Sequence, residues 1–61
     1  MIKVILKEKN ARGDHMEQIY EKGADTDTNV FGQKSILVIQ NEEEKAIAEW
    51  DWDEVHHWEK G

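Results

Sequence analysis

Apolar and polar residues alternate at the start of the chain, which is typical of a β-strand whose two faces meet different surroundings. Ile2, Val4 and Leu6 occupy every second position, with Lys3 and Lys7 between or beside them. The pattern predicts a first strand, followed by a polar turn at residues 10–14 that contains a glycine.

Two later segments predict a second pair of strands. Residues 34–40 form the most apolar run of the chain and predict a central strand that is buried on both faces. Residues 45–52 place alanine or tryptophan at every second position and predict its partner strand. Residues 41–44, which are all polar, predict the turn between them.

The remaining segments give weaker patterns. Residues 15–22 predict a strand that completes a hairpin with the first one, and a helix over 14–22 is the alternative. Residues 23–29 predict a loop, which Val30 and Phe31 anchor against the core. One helical turn is expected near residues 53–55, followed by a last short strand at 56–58.

These elements predict a single small domain over residues 1–61 that is mainly β. Four to five short strands would form an antiparallel meander or a partly open barrel. The alternative fold is α+β, with the helix at residues 14–22. The predicted core contains Ile2, Val4, Leu6, Tyr20, Phe31, Leu37, Ile39, Ala48, Trp50, Val55 and Trp58.

Charge is distributed unevenly along the chain, whose formal net charge is −6. Residues 1–40 carry six acidic and six basic residues, whereas residues 41–61 carry eight acidic and two basic residues. The whole net charge therefore lies in the segment that also holds all three tryptophans. Such a charge disfavours nucleic acid as a direct partner, because binding phosphates requires clustered lysine and arginine.

Composition excludes several further classes of protein. The chain has no cysteine, and so neither a disulfide nor a thiolate metal site can stabilise it. No apolar run approaches the roughly 20 residues needed to span a bilayer, and no signal segment is visible. These features predict a cytoplasmic protein that does not associate with a membrane.

Residues suited to catalysis or metal binding are few. His56, His57 and Asp53 are the candidate metal ligands, but neighbouring residues of a strand point to opposite faces, so His56 and His57 cannot share a metal without a bend. His15 is a possible further ligand, but the sequence does not place it nearby. Residues 25–29 begin like a calcium-binding loop, but that loop requires glycine at its sixth position, where Val30 stands.

We do not expect an enzyme, and we expect no cofactor. The only serine, Ser35, opens a strand and does not follow a nucleophile-elbow pattern. The chain also has neither of the glycine-rich motifs that bind nucleotide phosphates. A domain of 61 residues has little interior for a ligand pocket of about 300 Å³.

The acidic, tryptophan-containing C-terminal segment is the predicted contact surface for a protein partner. Tryptophan is enriched among the residues that dominate binding energy, and polar rims commonly surround them. The alternative is that all three tryptophans belong to the core. The candidate partner-binding residues are Glu42, Glu43, Glu44, Asp51, Trp52, Asp53, Glu54 and Trp58.

Residues 46–50 (Ala-Ile-Ala-Glu-Trp), followed by Val55 and Trp58, resemble the end of short β-rich proteins from bacteriophages and mobile elements. The resemblance covers residues 34–58. It implies a small β module in a bacterial host that binds and blocks a host protein. It assigns no functional residue.

The leading hypothesis is therefore a phage-like acidic module that binds a basic surface of a host protein, such as a nucleic-acid-binding site. One alternative is a sponge that binds a small ligand or nucleotide derivative at a homo-oligomer interface. The other is a metal-binding protein that uses His56 or His57. A short sheet with exposed edges also predicts a homodimer, formed through an edge strand or the tryptophan face.

Overall fold

The structure, a computed structural model that describes residues 1–61, contains six antiparallel β-strands and one 3-10 helix, η1. The mainly-β prediction is confirmed, and residues 14–22 contain a strand in place of the alternative helix. No helix is long and apolar enough to cross a membrane. The elements are β1 (Ile2–Lys9), β2 (His15–Tyr20), β3 (Asp25–Phe31), β4 (Lys34–Gln40), β5 (Ala46–Asp51), η1 (Trp52–Glu54) and β6 (Val55–Lys60).

The strands form two three-stranded sheets, in the orders β2-β1-β6 and β3-β4-β5. The chain forms the β1–β2 hairpin, crosses to the second sheet for β3, β4 and β5, and returns through η1 to β6. No barrel closes. The predicted number of four to five strands is too low, because an additional strand lies at residues 25–31. The strands do not follow one meander either, because the last strand pairs with the first.

Strand β3 replaces the loop predicted for residues 23–29. Aspartate alternates with threonine in this segment, so the threonines face the other sheet while the aspartates face solvent. Threonine is favoured in strands even though it adds little hydrophobicity. Val30 and Phe31 are each 67% exposed beside the hairpin turn, so the prediction that they anchor this segment in the core is wrong.

The core lies between the two sheets and joins the central strands β1 and β4 to β6. Five side chains are buried there, and six partly buried ones pack against them. Full burial of one such aliphatic side chain contributes about 1.5–3 kcal/mol. Every predicted core residue except Phe31 belongs to this group, which consists of Ile2, Val4, Leu37, Ile39 and Val55, with Leu6, Tyr20, Ala48, Trp50, Trp52 and Trp58 packed around them.

Two hairpin turns have the same construction. In the first, the Asn10 side chain accepts hydrogen bonds from the backbone N–H groups of Arg12 and Asp14. In the second, the Asn41 side chain accepts them from Glu43 and Lys45. The fourth residue of each turn has positive φ: it is Gly13 (84°) in the first turn and Glu44 (63°) in the second.

Candidate functional site

The predicted partner-binding residues lie in three separate places. Glu42, Glu43 and Glu44 form the turn before β5, whereas Asp51, Trp52, Asp53 and Glu54 lie at and beyond its other end. A strand of six residues spans about 20 Å. Trp58 lies in β6, in the opposite sheet. The acidic C-terminal segment therefore does not form one continuous surface.

All three tryptophans are partly buried and pack against the core. The Trp50 indole N–H donates to the Tyr20 hydroxyl at 2.9 Å, which links β5 to β2 across the two sheets. The Trp52 indole N–H donates to the Thr28 hydroxyl at 3.4 Å, which links η1 to β3. Each of these rings therefore has a structural role.

A different set of carboxylates shares one surface, the outer face of the β3-β4-β5 sheet. Asp27 and Glu49 lie on either side of Val38 in the strand register, and Asp51 lies beside Ile36. Residues two apart on a strand point to the same face, so Asp25 lies on this face as well. We call this surface the acidic face; its charged members are Asp25, Asp27, Glu49 and Asp51, and its centre is formed by Ile36 and Val38.

The acidic face ends in an exposed aromatic ring. Phe31 is the next outward position after Asp27 and Asn29, and it pairs with Lys34 beside the hairpin turn. Phe31 is 67% exposed, which makes it the most exposed aromatic side chain of the protein. Lys34 is the only basic residue of this face.

The four carboxylates of the acidic face lie close enough together to act jointly. Positions two apart on one strand are about 7 Å from each other, and positions on β3 and β5 are about 10 Å apart across β4. Both distances are within or near the Debye length of about 8–10 Å at physiological salt. The face therefore presents a single negative field. Sequence reasoning missed Asp25 and Asp27, although their alternation with threonine was a signal of a strand.

The free edge of β3 is protected against another strand. The Asp25 carboxylate accepts a hydrogen bond from the Thr26 backbone N–H at 2.8 Å, and the Asp27 carboxylate accepts one from Thr28 at the same distance. These donors are two residues apart, as are the N–H groups that point away from a sheet at its edge. Satisfying them within the strand discourages pairing with a second chain.

Two surface depressions bear on the small-ligand alternative. The larger, about 600 Å³, is open, and its lining includes Lys22, Glu42 and Lys60 but no tryptophan. The smaller, about 230 Å³, has Trp50 and Lys7 in its lining. The smaller depression is below the usual size of a small-molecule site, about 300 Å³.

The three histidines of the chain converge at one end of the β2-β1-β6 sheet. The rings of His15 and His56 stack at 4.4 Å with an angle of 6° between their planes, and His57 lies edge-on to His56 at 5.0 Å. The register of β6 shifts between Val55 and His57, and this bulge brings the two adjacent histidines together. The bend that His56 and His57 need in order to lie on one side of the strand is therefore present.

The histidine cluster (His15, His56 and His57) lies in a positive environment. Loss of surrounding water lowers the pKa of His56 below its usual 6.5, and the charges of His15, His57, Lys9 and Lys7 lower it further. No three histidine, aspartate or glutamate side chains are arranged to hold a metal ion. Asp53, the third predicted metal candidate, thus belongs to no such group.

We compared the chain with protein-family models, with curated proteins and with solved structures, and none of them matches it.

Proposed function

We propose that this protein is a small acidic module that binds a basic surface of another protein through its acidic face. The observation that supports this proposal is the grouping of Asp25, Asp27, Glu49 and Asp51 on one outer sheet surface, with Lys34 as the only basic residue. This placement revises the contact surface that the sequence predicted. Asp51 belongs to both versions of the surface.

The acidic face combines the two properties that a protein interface needs. Its concentrated negative charge steers a basic partner and accelerates encounter, an effect that weakens as salt increases. Phe31 supplies an exposed aromatic anchor at one end of the face, and aromatic residues are enriched in interfaces. Trp52 and Trp58 are less suited to this role because they pack against the core.

We further propose that the partner surface is a basic site of a host protein, such as one that normally binds nucleic acid, and that occupancy blocks it. This step depends on the resemblance of residues 34–58 to phage and mobile-element proteins. A grouped set of carboxylates competes for the same lysine and arginine side chains that bind phosphates.

Charge neutralisation tests whether the acidic face or the β4–β5 turn binds the partner. The double variant Asp27→Asn with Glu49→Gln removes two charges from the face and keeps the acceptor that the Thr28 N–H uses. The matched control, Glu42→Gln with Glu43→Gln, removes two charges from the exposed β4–β5 turn. We expect the face variant to bind a lysine-rich peptide at least about fivefold more weakly, while the turn variant keeps most of its affinity.

The opposite ranking would contradict the proposal and would return the contact surface to residues 42–44. Equal affinity of all three proteins would contradict any role of local charge. The same three proteins, used as baits in a bacterial lysate, show whether a natural partner follows the same ranking.

A homodimer remains a separate proposal, and the structure favours one side of the molecule for it. Ile19 on β2 and Ile47 on β5 are 47% and 41% exposed and line the same shallow depression. The β3 edge, in contrast, is protected by its aspartates. Sedimentation of the wild type and of Ile47→Glu tests this side: we expect a dimer that the variant disrupts, and a wild-type monomer would refute it.

A further inference from the structure

On taking up protons, the histidine cluster adds positive charge to a protein whose formal net charge is −6 with its histidines neutral. Lys9 of β1 pairs with His15 in the strand register, and the charges of Lys9 and Lys7 lower the pKa of His56. The one ion pair that a histidine makes is between His57 and Glu59, at 4.0 Å between exposed groups. The end of this sheet therefore collects three imidazole rings and two ammonium groups, and only the Glu59 carboxylate pairs with one of the rings.

Several ring nitrogens of the cluster have no partner within the chain. The one hydrogen bond that a histidine ring makes joins His15 Nδ1 to the Leu6 carbonyl at 2.7 Å. A carbonyl only accepts, so Nδ1 carries the proton and Nε2 is left free. A protonated imidazole donates from both of its nitrogens. Proton uptake would thus give this surface several unused donors beside two lysines.

We propose that the histidine cluster, together with Lys7 and Lys9, binds a phosphate group, and that binding strengthens as the histidines take up protons. A phosphate group has several strong acceptor oxygens and carries between one and two negative charges in the pH range in which histidines titrate. It therefore matches a surface on which donors and positive charges come from three strands. A bound anion also removes the repulsion between these cationic groups.

The geometry favours an anion over a metal ion. A metal bound through a ring nitrogen lies near the plane of that ring, and the stacked planes of His15 and His56 are nearly parallel. One ion cannot lie in both planes while the rings are stacked. Lys7 and Lys9 would also repel a cation, whereas they attract phosphate.

The charge of the whole molecule favours a small anion over a long one. The acidic face lies on the other sheet, and the molecule is only 13 Å thick along its shortest axis. Both surfaces are therefore within roughly one to two Debye lengths of each other. A nucleic acid strand that reached the cluster would pass near this negative field, but a single phosphate group would not extend that far.

Charged groups on each neighbouring element set the pH response. β1 contributes Lys7, Glu8 and Lys9, β2 contributes Glu17, η1 contributes Glu54, and β6 contributes Glu59. The lysines oppose protonation of His56, and the Glu59 carboxylate lies 4.0 Å from His57 Nε2. Phosphate would favour protonation of all three rings, so its binding and proton uptake are coupled.

NMR titration of the three histidine side chains tests the proposal directly. The pH is varied in about 20 mM inorganic phosphate and, separately, in chloride at the same ionic strength, which matches screening of charge. We expect the pKa of His56 to be higher in phosphate by about half a unit or more, a shift readily resolved for histidine. Identical titration in the two salts would overturn the proposal.

Two lysine variants provide matched controls. Lys9→Gln removes a cation from the cluster, whereas Lys34→Gln removes one from the tip of the other sheet. We expect Lys9→Gln to weaken phosphate binding about two- to fivefold, the range for one exposed ion pair, and Lys34→Gln to leave it unchanged. Equal effects would overturn the proposed location. Phosphoserine, used as a second probe, distinguishes the two possible sources of the phosphate group. Tighter binding of phosphoserine than of inorganic phosphate assigns a phosphomonoester, and equal binding assigns free phosphate.

Discussion

The second hairpin turn contains a strained residue whose replacement should stabilise the fold. Glu44 has a φ of 63°, the region in which Gly13 lies (84°) in the equivalent turn. The side chains of Asn10 and Asn41 accept the same pattern of hydrogen bonds in both turns. A residue with a Cβ atom in this conformation costs about 1–2 kcal/mol.

Glu44→Gly removes this strain but adds freedom to the unfolded chain, which costs about 0.5–1 kcal/mol. We therefore expect a net gain of about 0.5 kcal/mol, or a rise of about 2–4 °C in Tm for a domain of this size. Glu44→Asn should give a similar gain, since asparagine tolerates positive φ and loses less entropy. Gly13→Ala should lower stability by about 1 kcal/mol or more.

Urea denaturation followed by tryptophan fluorescence measures these changes. The midpoint should rise for Glu44→Gly and fall for Gly13→Ala, with the dependence on urea unchanged in both. A fall in stability for both Glu44→Gly and Glu44→Asn would refute the reasoning that the two turns share one conformation.

Three further predictions concern the core, a partly buried hydrogen bond and the response to acid. Leu37→Ala should lower the free energy of unfolding by about 2–5 kcal/mol and unfold much of the protein, because Leu37 is fully buried. Val30→Ala, at an exposed position, should change it by less than about 0.5 kcal/mol. Circular dichroism distinguishes the two variants. Tyr20→Phe should cost about 1–3 kcal/mol by leaving the Trp50 N–H without its acceptor, and thermal melting measures the loss. His56 binds a proton more weakly in the folded chain than in the unfolded chain, so stability should be complete above pH 6.5 and decrease as the pH falls below it; His56→Gln should flatten this dependence in melts without phosphate.

Strand prediction succeeded where hydrophobicity alternated clearly. The pairing of β4 with β5 and the inward positions of β1 follow from local pattern, whereas the pattern of residues 15–22 left a helix open as the alternative to the observed strand. The same pattern failed at residues 25–29, because threonine supplies the inner face there without raising hydrophobicity. Without this strand, the acidic face could not be recognised.

The convergence of the three histidines depends on long-range strand pairing, which the sequence does not reveal. His15 meets His56 because β1 lies between β2 and β6, and nothing local to either histidine indicates that arrangement. The bulge that brings His56 beside His57 is likewise a property of the pairing with β1. Candidate chemistry was therefore visible as residue types, while its location depended on the fold.

The mapping of a bound basic peptide tests the acidic face most directly. Backbone amide shifts are recorded by NMR while a lysine-rich peptide is added at low salt, where charge steering is strongest. The largest changes should occur at residues 25–31, 36–38 and 49–51, and they should diminish as salt is increased. Changes centred on residues 42–44, on η1 or on the β2-β1-β6 sheet would contradict the assignment of the contact surface.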